Sequence, residues 1–204
     1  MPATPDRPLR ADAQRNRDRL LEVAVRAFAQ EGAEVTLEAV AKEAGVGIGT
    51  LYRHFPTREA LVEAAYRTEL ARLCDGVPEL LRHRAPDRAM REWMDRFVGY
   101  MSTKRGMSDA LRAVIASGGN PFATSRERLV AAIGALLDAG IEAGTVRSDV
   151  APLDVLMSLS GISMVATGPS QREQVGRTLD LLMDGLRYRA GDVTRDARHA
   201  HRRV

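Results

Sequence analysis

Residues 36–58 read TLEAVAKEAGVGIGTLYRHFPTR, and the fold can be worked outward from them. Thr36 is a side-chain acceptor placed to cap a helix, with Val35 and Val40 spaced as a hydrophobic staple around it. Leu37, Val40, Ala41 and Ala44 recur at helical spacing until Gly45, which tolerates the positive φ a tight turn requires. A second short helix fits residues 47–54, and Pro56 limits its extension. Two short helices about a glycine turn form a helix-turn-helix pattern. Such a pair holds its first helix against the core and keeps its second narrow enough for the major groove of DNA. Val46 and Leu51 are expected inside, and Gly47, Ile48, Thr50, Tyr52, Arg53 and His54 outside. Gly47 and Gly49 carry no side chain, so backbone amides at the helix start can approach phosphates.

The helical period continues in both directions. Upstream, Leu21, Ala24, Val25 and Phe28 share one face, and Gly32 stops that helix. Downstream, Thr57 caps a helix through Leu61, Ala65 and Leu70 that ends near residue 73 or 77. Met90, Trp93, Met94, Phe97, Val98 and Met101 form the next amphipathic face. Met107, Leu111, Val114 and Ile115 follow, up to the break at Gly118-Gly119-Asn120-Pro121. Capping boxes at Thr124–Glu127 and Ser170–Glu173 introduce two further helices, and Pro152 suits the first turn of the one between them. About nine helices and no strand make the fold all-α. Residues 1–13, with three prolines, are expected to be a flexible arm. Residues 14–60 are then a helix-turn-helix domain, 61–190 a larger helical domain and 191–204 a flexible basic tail.

Composition narrows the function classes. Of 204 residues 45% are hydrophobic and 4% aromatic, enough for a core but few aromatics for an all-β sandwich. Cys74 is the only cysteine, which excludes an intrachain disulfide or a Cys-rich zinc site and leaves a small buried hydrophobe. No apolar run reaches the roughly 18–20 residues of a membrane span, and the first residues lack the apolar segment of a secretory signal. A cytoplasmic chain with no membrane partner is expected. No GxxxxGK[ST], HExxH or GxSxG occurs, and Gly45-x-Gly47-x-Gly49 follows no strand. Catalytic residues, metal and cofactor are therefore all expected to be none, and a helical enzyme is the rival class. The net charge of +3 is a poor guide, because residues 1–67 hold ten basic and ten acidic side chains. The excess sits in 187–204, where six arginines face Asp192 and Asp196. Pattern, rather than net charge, points to nucleic acid.

Residues 45–66, GVGIGTLYRHFPTREALVEAAY, resemble the DNA-binding signature of TetR-family transcriptional regulators. Gly45, Gly49, Tyr52 and Phe55 fit its Gly-x-x-x-Gly-x-x-Tyr-x-x-Phe core, and LLEVAVRAFAQEG at 20–32 fits the preceding helix. The motifs cover residues 15–66; further on, EAGTVRSDVAPLDV at 142–155 is also similar. The resemblance implies a homodimer whose recognition helices read successive major grooves of a palindrome-like operator. It also implies a repressor released by a small apolar or aromatic effector, with activation as the alternative role. By the same resemblance Thr36, Tyr52, His54 and Arg58 contact phosphates, while Gly47, Ile48, Thr50 and Arg53 lie nearest the bases. Many members carry Ser where this chain has Gly47 and Lys or Arg where it has Ile48. Readout here should rest on Thr50, on Arg53 and on apolar contact from Ile48. Phe55 is expected in the core, and Tyr52 with its ring packed and its hydroxyl on a phosphate.

For the larger domain the resemblance implies a ligand cavity and a dimer interface built from the last two helices. Candidate lining residues are Trp93, Met94, Phe97 and Met101 on the fifth helix and Leu111 and Ile115 on the sixth. Leu137 on the seventh helix and Met157 and Met164 on the eighth complete the set. Aromatic and thioether linings suit apolar ligands, and the Trp93 indole N–H needs a partner. The same stripe is simply core in most helical domains. No charged residue interrupts these faces, which argues against a strongly anionic or divalent-metal ligand. Ser158, Ser160, Gly161 and Ser163 allow close helix approach, and with Leu179, Leu182, Met183 and Leu186 they suit a two-fold four-helix interface. These positions equally suit an intrachain core.

Overall fold

A computed structural model of the chain describes residues 6–165 and 171–187, so the tail at 191–204 and the capping Ser170 lie outside the described residues. Among the described residues ten α-helices follow one another: α1 Asp6–Glu31, α2 Leu37–Glu43, α3 Ile48–His54, α4 Arg58–Asp75 and α5 Val77–His83. Then come α6 Pro86–Gly106, α7 Ser108–Ala116, α8 Ser125–Glu142, α9 Pro152–Val165 and α10 Arg172–Leu186. A 3-10 turn at Gly32–Glu34 joins α1 to α2. The only extended pairing among the described residues is an isolated bridge between Val146 and Arg187. The fold is all-α.

Two differences from the sequence reading have local causes. Residues 6–13, expected as an arm, form the first turns of α1. Pro8 is no obstacle there, because its missing N–H falls among the four that have no intrahelical acceptor. The second difference is α5. The helix after Thr57 stops at Asp75, since Pro78 cannot donate to the carbonyl four residues back, and a separate seven-residue helix begins at Val77.

The chain divides into two compact units, residues 1–76 with 96–129 and residues 77–95 with 130–204. In the first unit α1 packs on α2, α3 and α4, and α4 packs on α7. Leu20, Leu21, Ala24 and Phe28 of α1 are buried together with Leu51, Phe55, Leu61 and Tyr66. Complete burial of Phe28 alone stabilises the fold by about 1.5–3 kcal/mol. Gly106, at the end of α6, touches the α1 backbone: a Cβ there would overlap the Ala29 carbonyl, so only glycine fits. In the second unit α9 packs on α10. Trp93, Met94, Ile133, Leu136, Leu159, Leu179 and Met183 are buried within that unit. Arg91 Nε bonds Asp180 Oδ1 at 2.6 Å and Arg187 Nη2 reaches Asp87 Oδ2 at 3.3 Å, both joining α6 to α10.

Candidate nucleic-acid interface

The local folding of α2 and α3 follows the sequence signals closely. Thr36 adopts extended backbone, and its Oγ1 accepts the Ala39 N–H at 3.2 Å. Val35 and Val40 beside it are buried, as a staple requires. Gly45 takes φ +67°, and the Val46 N–H then returns to the Ala41 carbonyl at 3.0 Å. A residue with a Cβ would be strained in that conformation. Leu51 is completely buried and Phe55 nearly so, which fixes one side of α3 inward, whereas Val46 is only half-buried.

The other side of α3 faces solvent. Ile48 is 38% and Tyr52 45% exposed, a large apolar surface for the solvent side of a seven-residue helix. Tyr52 is thus partly covered by its own unit and partly open to solvent. Added Cβ atoms at Gly47 and Gly49 would meet nothing within 4 Å, so packing does not require these glycines. They keep the helix start low and leave its surface clear. Arg53 Nη2 donates to Thr50 Oγ1 at 2.9 Å and Arg53 Nε to the Gly49 carbonyl at 3.3 Å. A guanidinium has five N–H donors, so three remain to reach a base edge or phosphate. The two polar residues expected nearest the bases thus hold one another in place without DNA. His54 is half-buried, its ring 6.2 Å from that of Phe55.

Arg58, a phosphate contact by the resemblance, is tied within the protein in this structure. Its Nη1 donates to the Val35 carbonyl, and its guanidinium carbon lies 4.9 Å from the Phe28 ring centroid. The Val35 carbonyl lies just before α2 and needs a donor, and the electron-rich ring face attracts the cation. Arg58 therefore works as a tie between α4, α1 and the start of α2. Two further ties escaped the sequence reading. Arg17 stacks 5.5 Å above Phe55, and Arg26 Nη2 pairs with Glu43 Oε1 at 2.8 Å, joining α1 to α2. These partners are 17 or more residues apart, beyond any local periodicity.

Comparison with known proteins agrees with this geometry. Residues 20–65 match the profile of "Bacterial regulatory proteins, tetR family", and residues 85–188 match "Transcriptional regulator SbtR-like, C-terminal domain". The chain belongs to the TetR family. A TetR transcriptional regulator from Streptomyces coelicolor is 54% identical, with TM-score 0.83 over 85% of this chain and 99% of the other. A TetR transcription regulatory protein from Mycobacterium vanbaalenii is 35% identical, with TM-score 0.73 over 89% and 100%. An HTH-type transcriptional regulator of Staphylococcus aureus is 46% identical over 54 residues, a match spanning only 26% of this chain and 29% of that protein. This chain is thus a TetR-family helix-turn-helix transcriptional regulator, and no helix among its described residues is long and apolar enough to cross a membrane.

The residues expected to line this regulator's ligand cavity fall into different environments. Phe97 and Leu111 are buried and Met101 half-buried in the first unit, and Trp93, Met94 and Leu137 are buried in the second. Ile115 is 48%, Met157 67% and Met164 74% exposed, so these three line no interior cavity of the single chain. The expected dimer contacts are displaced in the opposite sense. Leu179, Met183 and Leu186 are buried inside the second unit and have no surface to offer a partner; Leu182 and Ser160 are half-buried. The exposed apolar side chains of α9 and α10 are instead Met157, Met164, Val165 and Leu181.

Proposed function

We propose that this regulator is a repressor that binds a palindrome-like double-stranded DNA operator as a homodimer and is released by a small-molecule effector. The observation that carries the reading is the outward face of α3. Thr50 and Arg53 offer polar readout there, and Ile48 offers apolar surface suited to a thymine methyl. Thr36, Tyr52 and His54 flank that face and take phosphates, while Arg58 supports them from behind.

The dimer reading is supported by α9, where Met157, Gly161 and Met164 recur at i, i+4 and i+7 and all three are exposed. Leu181 of α10 adds to the same apolar surface, and Ser158, Ile162, Leu181 and Leu182 border a shallow groove of about 420 Å³. Apolar surface of this kind is covered when a second copy pairs about a two-fold axis. Each copy then carries one α3, and operator binding requires the two to sit about 34–36 Å apart, one turn of DNA. The effector acts by population shift: it favours a conformer in which α4 swings and the separation of the recognition helices changes.

In vitro selection of bound DNA followed by footprinting tests the whole reading. A two-fold symmetric site is expected, with sequence preference relaxed in Arg53→Ala. Enrichment of a single half-site, or a preference that Arg53→Ala leaves untouched, overturns it.

A further inference from the structure

Three hydroxyls meet inside the first unit. Tyr66 Oη lies 2.6 Å from Tyr100 Oη and 2.9 Å from Ser125 Oγ, and all three residues are buried. Each hydroxyl carries one proton, and three protons serve two hydrogen bonds. The count leaves one O–H over, available to donate outside the cluster. Burial and the bond to Tyr66 push the Tyr100 hydroxyl well above the ordinary tyrosine range, so it stays a donor.

The surroundings add positive charge and no acceptor. Ser125 is the first residue of α8, so the cluster lies at the positive end of an 18-residue helix. Phe122, in the turn segment before α8, stands edge-on to Tyr66 with ring centroids 5.2 Å apart and is half-exposed. Lys104 places its Nζ 4.5 Å from the Phe122 centroid. No carboxylate among the described residues pairs with this half-buried ammonium, and burial lowers its pKa. Lys104 also lies on the face of Phe97 and Met101, one turn beyond the last apolar position of that stripe. The apolar stripe thus ends on a charge.

One cation and one unsatisfied O–H at a helix N-terminus match a monoanion with two acceptor oxygens. We propose that the Phe122-capped cluster of Tyr66, Tyr100, Ser125 and Lys104 is the recognition site for the carboxylate of a small amphipathic effector. This rests on the reading of the protein as a ligand-released regulator, and it names the chemical class of that ligand. Phe122 swings aside to admit the carboxylate, which accepts from Lys104 and the unsatisfied hydroxyl. Because Tyr66 belongs to α4, the helix that leaves the DNA-binding segment at Arg58, the carboxylate reorders hydrogen bonds on that helix.

The test is calorimetric titration of the full chain with hexanoate, decanoate and 3-phenylpropionate, each beside its primary amide. Wild type should bind a carboxylate at least about tenfold more tightly than the matching amide, the effect of charge-assisted hydrogen bonds. Lys104→Met should abolish that preference by weakening the carboxylate far more than the amide, Lys104→Arg should keep it, and circular dichroism should show both variants folded. Equal binding of acid and amide, no binding of any probe, or a preference that survives in Lys104→Met overturns the site. Operator release measured in parallel separates the two readings. A carboxylate that binds through Lys104 without releasing DNA refutes the repressor mechanism and leaves the site standing. An effector that releases DNA equally from wild type and Lys104→Met refutes the site and leaves the repressor standing.

Discussion

The second helix of the helix-turn-helix, α3, and the helix α9 both carry apolar residues on more than one side, yet they differ in what sets their orientation. In α3 the apolar residues are divided by strong local signals: the capped Thr36, the left-handed Gly45 and Pro56 leave one arrangement that buries Leu51 and Phe55. In α9 the residues Val155, Leu156, Met157, Leu159, Ile162, Met164 and Val165 surround the helix on every side. A helix that is apolar all round has no intrinsic preference for which side faces its own core. Its neighbours decide, and they choose Val155, Leu156 and Leu159 for the interior and Met157 and Met164 for the surface.

The largest expected effect tests that choice directly. Leu179→Asp buries a carboxylate at a completely enclosed position and should cost more than about 4 kcal/mol, enough to abolish cooperative thermal unfolding. Met157→Asp should keep the melting transition within about 1 kcal/mol of wild type and yield a monomer in sedimentation. A folded Leu179→Asp beside an unfolded Met157→Asp would invert the assignment of faces. Next in size, Met183→Ala should lose about 2–5 kcal/mol in urea unfolding, the range for a buried methionine. A loss below 1 kcal/mol would place it at the surface.

The other side of the comparison is sharpened by a pair of arginines. Arg53→Ala should weaken operator binding by about 1–3 kcal/mol in gel-shift titration with the melting temperature unchanged. Arg58→Ala should instead lower stability by about 1–2 kcal/mol, since it leaves the Val35 carbonyl without this donor. A variant of Arg58 that melts normally but binds DNA poorly would return it to the phosphate contacts. Thr36→Ala should remove the α2 cap and cost about 1 kcal/mol in the same unfolding assay. The smallest effect is chemical. Burial pushes the Cys74 thiol up to about 11, partly offset by Arg128, so a disulfide reagent at pH 8 should modify it far more slowly in the native chain than in urea. Equal rates would show an open thiol.

Much of the DNA-binding segment was legible because its determinants are local. Caps, the glycine turn and the inward Leu51 and Phe55 lie within a few residues of what they control. The ties of Arg58 were not legible for the opposite reason: its partners, Val35 and Phe28, are 23 and 30 positions away. The break at Gly76-Val77-Pro78 was readable in principle, since a proline two residues past a glycine cannot extend α4.

By itself the sequence determined an all-α chain, the positions of most helices, the family and the face of α3 left open to solvent. It could do so because helical period and turn chemistry act over one or two turns. Only the tertiary structure decided which apolar side of α9 and α10 is core and which is surface. It alone brought the hydroxyls of Tyr66, Tyr100 and Ser125 together from three helices. Those outcomes depend on long-range packing and on balancing every buried donor against an acceptor, and no local pattern records either.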